Sequence, residues 1–213
     1  MANYKDIVGT AVRNNAGNIP TAETGQIFFD STNIDFKYQQ PNKTTAASWS
    51  TAAPLNTARA YLFGCAGDKT ASVAFGGNEP PGAVTGKTEL WNGASWTETG
   101  DLNDSRGEIG GCGTQTAALA AGGNSPGGTA NTEEFNGSSW TEVGNLNTAR
   151  KSLAAAGTME AALAFGGYDP SFHAVTESWN GTAWTEVADL NDARNQLGGA
   201  GIQTAALAIG GNT

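Results

Sequence analysis

Short apolar runs, separated by glycine-rich and polar segments, recur along most of the chain. Ala161-Ala-Leu-Ala-Phe165 and Ala205-Ala-Leu-Ala-Ile209 are each followed directly by two glycines. Apolar runs that stop at a Gly-Gly pair are typical of buried strands that end where the backbone needs unusual φ values. The stretch before the second run, residues 196–204, contains too much glycine for a helix and predicts a further strand. The pattern therefore indicates an all-β protein.

A second pattern predicts β-hairpins between the apolar runs. The motif Thr-Glu-x-aromatic-Asn-Gly-x-x-Trp-Thr-Glu occupies residues 88–98, 132–142 and 176–186, and the end of an earlier copy remains as Ser48-Trp49-Ser50. An Asn-Gly pair between residues typical of strands favours a tight turn with positive φ. Each full motif thus predicts two antiparallel strands joined by such a turn.

Three markers recur in the same order, which indicates four copies of one structural unit. They are a tryptophan, an arginine in the segment Leu-Asn-x-x-Arg, and the Gly-Gly pair. The arginines are separated by 47, 44 and 44 residues, and so are the tryptophans. Four short strands in about 44 residues match the size of one β-propeller blade. The markers are Trp49, Trp96, Trp140 and Trp184, then Arg59, Arg106, Arg150 and Arg194, and the glycine pairs at 76–77, 122–123, 166–167 and 210–211.

The repeated unit resembles the kelch repeat. Kelch units also carry an arginine near the start, a hydrophobic strand that ends in Gly-Gly, and then a spaced aromatic residue and tryptophan. The resemblance extends from Ser48 to the C-terminus and implies kelch-type β-propeller blades, with about four four-stranded repeats of ~44 residues each. The unit departs from many kelch proteins in its abundance of alanine, glycine and Asn-Gly. Kelch propellers also usually close with more than four blades.

The kelch phase predicts an incomplete last blade. A blade begins at the arginine and ends after the tryptophan, so the unit from Arg194 holds only two strands. One interpretation is that the N-terminal half closes the ring, with Trp49 in an orphan fourth strand and residues 34–38 as an orphan third strand. The alternatives are that the chain is part of a longer array or that neighbouring chains complete the ring.

The first 45 residues do not repeat and predict a separate anchor segment before the repeats at 46–213. Gly-Gln-Ile-Phe-Phe-Asp at 25–30, a polar stretch at 31–33 and an alternating stretch at 34–38 predict a β-hairpin. This hairpin pattern is similar to a short module of bacteriophage tail-fibre and other virion structural proteins. The repeat style also resembles arrays in structural proteins of marine phages. These resemblances imply attachment to other virion proteins through the N-terminal segment.

Composition narrows the classes of partner. The formal net charge is −9 with only 11 Lys and Arg spread along the chain, so nucleic-acid binding is not expected. No run approaches the 18 apolar residues typical of a membrane span, so no membrane insertion is expected. The N-terminus lacks the apolar core of a signal peptide. The expected location is the virion, after synthesis in a host cytoplasm.

The glutamates that could act as paired carboxylates recur in every unit, whereas an active site is normally a single departure from a repeat. The tryptophans fit packing between blades better than stacking on sugars. The arginines are expected to tie adjacent blades together through carbonyls or the repeated glutamates rather than to form an anion-binding ring. Cys65 and Cys112 stand where later units have Ala156 and Ala200, so that position takes a small apolar side chain. The only histidine, His173, lies in a loop. The sequence therefore predicts no enzyme activity, no catalytic residue, no cofactor and no metal site.

The loops after each Gly-Gly pair differ between units, at residues 78–86, 124–130 and 168–173. Variable loops on a rigid scaffold are where binding residues usually lie. The candidate partner-binding residues are Glu79, Tyr168, Phe172 and His173. The predicted function is a non-enzymatic virion structural protein, of tail-fibre or decoration type, that displays a propeller for adhesion or host recognition. A host-surface glycan or protein is its expected ligand, and a homo-oligomer is compatible with this role. The alternative is a cellular kelch-type protein-interaction module.

Overall fold

The computed structural model describes residues 50–62 and 64–213 throughout, and the strands at 13–15, 27–30 and 35–38 before them. The chain divides into two parts, Met1–Thr51 and Ala52–Thr213. All regular elements of the described residues are β-strands, which confirms the predicted all-β class. No helix long and apolar enough to cross a membrane occurs among these residues. The predicted boundary between residues 45 and 46 lies outside the described residues, and so does Trp49.

The N-terminal part contains a three-stranded sheet in the order β1-β2-β3. Its strands are β1 (Arg13–Asn15), β2 (Ile27–Asp30) and β3 (Asp35–Tyr38). The antiparallel pairing of β2 with β3 confirms the predicted hairpin, and β1 adds to it in parallel. Asp35–Tyr38 pairs with β2, with Phe36 opposite Phe29. The interpretation of residues 34–38 as a third strand of the last blade stays a prediction.

The remaining residues form four repeats, which we number from the leucine of each Leu-Asn-x-x-Arg segment: 55–98, 102–142, 146–186 and 190–213. Repeats 1 to 3 each contain a four-stranded antiparallel sheet, and repeat 4 contains two strands. Repeat 1 also holds a small hairpin, β6-β7, between its second and third sheet strands. The strands of repeat 1 are β4 (Cys65–Gly67), β5 (Ser72–Phe75), β6 (Asn78–Glu79), β7 (Ala83–Val84), β8 (Thr88–Trp91) and β9 (Trp96–Glu98).

Repeats 2 and 3 have the same strand order as repeat 1 without the inserted hairpin. Repeat 2 contains β10 (Gly110–Thr114), β11 (Ala117–Ala121), β12 (Thr132–Phe135) and β13 (Trp140–Glu142). Repeat 3 contains β14 (Ala154–Gly157), β15 (Ala162–Phe165), β16 (Thr176–Trp179) and β17 (Trp184–Glu186). Repeat 4 contains β18 (Gly198–Ile202) and β19 (Ala205–Ile209).

The Asn-Gly motifs form the predicted hairpins through four-residue turns. In repeat 1 Trp91 lies opposite Trp96, and the Asn92 side-chain oxygen accepts hydrogen bonds from the backbone N–H groups of Ala94 and Ser95, both at 2.9 Å. Only the glycine of the pair has positive φ, 92° at Gly93. The asparagine therefore acts through its side chain, and the glycine supplies the left-handed backbone.

Neighbouring repeats pack with their sheets against each other, and their first strands β4, β10, β14 and β18 lie side by side in sequence order. Trp140 of repeat 2 lies with its ring 4.7 Å from that of Phe75 in repeat 1, and its indole N–H donates to Thr88 Oγ1 at 3.0 Å. Trp184 makes the same bond to Thr132 Oγ1, at 3.1 Å. Both indoles are buried, which confirms packing between repeats. The arrangement fits a β-propeller-like fold.

Candidate binding groove

The arginine of each complete repeat is held by a buried glutamate of the Thr-Glu-x-aromatic strand. The Arg–Glu distances are 2.9 Å for Arg59–Glu89, 2.7 Å for Arg106–Glu133 and 2.5 Å for Arg150–Glu177, and all six side chains are fully buried. The second glutamate of each motif lies exposed on the outermost strand instead. The first set of glutamates therefore pairs with the arginines as predicted, but each pair lies within one repeat, so the expected tie between adjacent blades is wrong.

The asparagine of Leu-Asn-x-x-Arg completes the network. Asn147 donates to Glu177 Oε2 from its backbone N–H at 2.7 Å and from its side chain at 2.8 Å. Burial raises the pKa of the Glu177 carboxyl, but hydrogen bonds from Arg150 and Asn147 outweigh it, so that its pKa lies below the ordinary value. A carboxylate held in this way is charged and saturated with donors, which suits a structural role.

The second residue after each of these arginines has a left-handed backbone. The φ angles are 50° at Tyr61, 55° at Glu108, 53° at Ser152 and 54° at Gln196. A non-glycine residue in this region costs about 1–3 kcal/mol and persists where the surroundings enforce it. The same strained geometry thus recurs at four equivalent positions whose side chains all differ.

Backbone hydrogen bonds between repeats enforce this geometry. The N–H of Glu108 donates to the carbonyl of Tyr61 at 3.2 Å, that of Ser152 to Glu108 at 2.9 Å, and that of Gln196 to Ser152 at 2.9 Å. The left-handed residues of repeats 2 to 4 are therefore each tied to the equivalent residue of the preceding repeat, and the four side chains are brought to one place.

These four residues line a groove of about 300 Å³, together with Lys151, Tyr168 and Asn195. The ammonium of Lys151 lies 3.8 Å from Glu108 Oε1, and the Ser152 hydroxyl donates to the other oxygen of the same carboxylate. Tyr61 is 57% exposed and Gln196 is exposed as well. The groove therefore offers an accessible aromatic ring and an amide beside a paired, partly buried acid and base.

Each loop after Gly-Gly is tied to the start of its own repeat next to the groove. Lys151 and Tyr168 exchange two backbone hydrogen bonds, of 3.1 and 2.8 Å. The equivalent exchange joins Asn195 to Asn212 at 3.1 and 2.9 Å. Because this pairing fixes the first loop residue beside the arginine segment, Tyr168 lines the groove.

Three of the four sequence-predicted binding residues, Tyr168, Phe172 and His173, lie in the one loop where the sequence places them. Tyr168 lines the groove, and Phe172, 39% exposed, packs edge-on against it with ring centroids 5.9 Å apart. The His173 ring nitrogen lies 3.1 Å from the carbonyl of Asp169. Glu79 lies on β6 of repeat 1, where it pairs with Lys87 at 3.2 Å, and it does not line the groove.

Sequence reasoning missed the left-handed residues Tyr61, Glu108, Ser152 and Gln196. A signal for them exists, since each stands two residues after a repeated arginine and each is of a different type. Such a position, with constant spacing but a different residue type in each repeat, is expected where the fold fixes the backbone and the side chain is free to vary with the partner.

Among the described residues, no group of three or more His, Cys, Asp or Glu side chains lies close enough to hold a metal ion. Burial raises the pKa of the Cys112 thiol to about 12, so this cysteine packs as the predicted small apolar residue. Cys65 is exposed instead. Cys112 lies opposite Leu119, but the residue opposite the equivalent Val73 is Ala66, so the predicted equivalence of Cys65 with Cys112 is wrong by one position.

No protein-family model matches the chain, and no curated protein sequence matches it.

Proposed function

We propose that this chain is a non-enzymatic recognition protein whose repeats are blades of a kelch-type β-propeller. The observation that carries the proposal is that the repeated residues and the varied residues of each repeat have different roles. The repeated Arg, Asn and Glu side chains bind one another, whereas the residue that differs at Tyr61, Glu108, Ser152 and Gln196 faces one groove. A scaffold of repeated contacts with a varied surface is the form expected of a binding module.

We further propose that the chain is a virion component of tail-fibre or decoration type. In this role the N-terminal segment attaches to other virion proteins and the repeats face outward for adhesion or host recognition. The module order and the resemblance to phage structural proteins support this proposal. Immunogold labelling of assembled particles tests it, and the absence of label from particles, with capture of a soluble host protein instead, would favour a cellular interaction module.

The lining of the groove favours a neutral saccharide of the host surface as the ligand. Tyr61 and Tyr168 offer aromatic faces with polar edges, and Asn195 and Gln196 offer amides that can both donate and accept hydrogen bonds. The charges of Lys151 and Glu108 oppose each other at 3.8 Å, so the groove has no strong preference for an anion or a cation.

Binding to immobilised neutral oligosaccharides tests the groove. We expect Tyr61→Ala and Gln196→Ala each to weaken binding at least about tenfold, the equivalent of about 1.4 kcal/mol. Tyr61→Phe, which keeps the ring, retains most of the affinity, and Thr141→Ala on the exposed outer strand leaves it unchanged. Equal binding by wild type and Tyr61→Ala would place the ligand elsewhere and would reject the groove as the site.

A further inference from the structure

The two ends of the repeat array expose the kinds of surface that bury each other inside it. We call Leu207 and Ile209, on β19 of repeat 4, the tail surface. We call Leu55, Leu62 and Trp96, all of repeat 1, the head surface. Both surfaces are defined by residues whose equivalents in the other repeats lie in the contacts between neighbouring repeats.

Inside the array, the second strand of one repeat packs on the next repeat. Val73 and Phe75 of repeat 1 form one cluster with Leu102, Ile109 and Trp140 of repeat 2. All five are at most 6% exposed.

The same arrangement joins repeat 2 to repeat 3. Leu119 and Ala121 cluster with Leu146, Leu153 and Trp184. These residues are likewise at most 5% exposed. The contact is therefore a repeated device: two second-strand side chains enter a site made by two aliphatic residues and a tryptophan of the next repeat.

On the tail surface, the side chains at the same two positions have no following repeat packed on them. Leu207 occupies the position of Val73 and Leu119 and is 65% exposed, and Ile209 occupies the position of Phe75 and Ala121 and is 57% exposed. Exposed leucine and isoleucine in this setting are unusual, since the equivalent residues of repeats 1 and 2 are fully buried and those of repeat 3, Leu163 and Phe165, are partly and fully buried.

The head surface offers the matching site. Leu55, Leu62 and Trp96 stand where repeat 2 has Leu102, Ile109 and Trp140, yet all three are only half-buried. The indole N–H of Trp96 donates to the carbonyl of Ala53 at 3.2 Å, so the ring needs no polar partner from another repeat. The head surface can therefore accept two apolar side chains without leaving a donor unsatisfied.

We propose that a second copy of this chain covers these surfaces, with the tail surface of one copy packed on the head surface of the other. A second copy is the occupant that the structure favours, because its head surface has the residue positions that bind the second strand of the preceding repeat inside the chain. Both surfaces are accessible in one and the same chain, so neither one buries the other there. A head-to-tail contact of this kind is heterologous, and it generates a ring if the rotation closes and a filament if it does not.

The molar mass of the full chain in solution, measured by light scattering over a range of concentrations, tests the proposal. Wild type is expected to associate as concentration rises. Leu207→Lys with Ile209→Lys blocks the tail surface, and Leu62→Asp blocks the head surface, so each variant alone is monomeric. Ile202→Lys is the matched control, because this exposed residue on β18 corresponds to the exposed Thr114 and Thr158 and lies in neither surface.

Mixing the two blocked variants gives the decisive result. The head-blocked chain keeps its tail and the tail-blocked chain keeps its head, so the mixture is expected to form a 1:1 dimer that goes no further. A wild type that stays monomeric at all concentrations overturns the proposal, as does a mixture that stays monomeric. Trp96→Ala replaces Leu62→Asp if the latter lacks the wild-type circular dichroism spectrum.

Discussion

Each buried arginine is paired with one fully buried carboxylate, and Arg106 also has the partly exposed Asp104 at 3.9 Å. Glu133 accepts hydrogen bonds from Arg106 at 2.7 Å and from the backbone N–H and side chain of Asn103, both at 2.8 Å. Since the guanidinium is fully buried, removal of the carboxylate leaves a charge that water cannot reach. The arginine and the glutamate of a repeat, about 30 positions apart, therefore need each other, which explains why the two residues recur together.

We expect Glu133→Ala to lower the free energy of unfolding by about 3–5 kcal/mol, the usual result of breaking a buried ion pair from one side. Its control is Glu142→Ala, since Glu142 lies opposite Glu133 in the ladder and is exposed. That change is expected to stay within about 0.5 kcal/mol. Urea unfolding of the two variants beside wild type measures both, and equal small effects would contradict the structural role of the pair.

Acid stability follows from the lowered pKa of Glu177. As pH falls below the ordinary glutamate pKa of about 4.3, the unfolded chain takes up the proton before the folded chain does, so stability declines. Above that pH the stabilisation is fully present. We expect urea midpoints to fall between about pH 5 and pH 3 in wild type, and to fall less steeply in Glu177→Gln. A variant with the wild-type pH profile would show that this carboxylate does not control acid unfolding.

At the scale of elements, the sequence predicted the repeated strands well because their signals are local. Gly-Gly ends each second strand, and both glycines have positive φ, as at Gly76 and Gly77 with 68° and 103°. The Asn-Gly hairpins and the N-terminal hairpin are equally local. Residues 34–38 form the strand that their alternation predicts, but alternation does not show which strands it pairs with, so their role in the last blade stays a prediction.

The groove could be predicted only in part for the same reason. Tyr168 was found because its loop varies in sequence. The convergence of Tyr61 with Gln196, 135 positions later, depends on the chain of backbone bonds through Glu108 and Ser152. A single sequence shows the spacing from each arginine but not that the four positions meet.

Residues 52–213 behave as an array in which each repeat is stabilised mainly by its neighbours. Repeat 2 has a repeat on either side, and its strand β11 contributes buried residues to the clusters on both sides. Repeat 4 has a neighbour on one side only, and every residue of β18 is exposed. Stability is therefore expected to be lowest at the C-terminal end of the array.

Amide hydrogen exchange resolves this difference between the repeats. We expect the amides of β18 and β19 to exchange at least about tenfold faster than those of β10 and β11, since strand ends with little buried apolar surface open locally. Dilution should accelerate exchange in β19 if a second copy covers it. Uniform protection across all repeats would instead indicate a single cooperative unit.

The left-handed residues have a consequence for how this protein can change over generations. Their conformation is imposed by main-chain bonds to neighbouring repeats, and their side chains take no part in the Arg–Glu network. At the exposed Tyr61 and Gln196, any residue type that tolerates such a backbone can therefore be exchanged without disturbing the interior, whereas Ser152 is buried and bound to Glu108. Two independently mutable sites at one opening give selection a short route to new specificity, one codon at a time, on an unaltered framework.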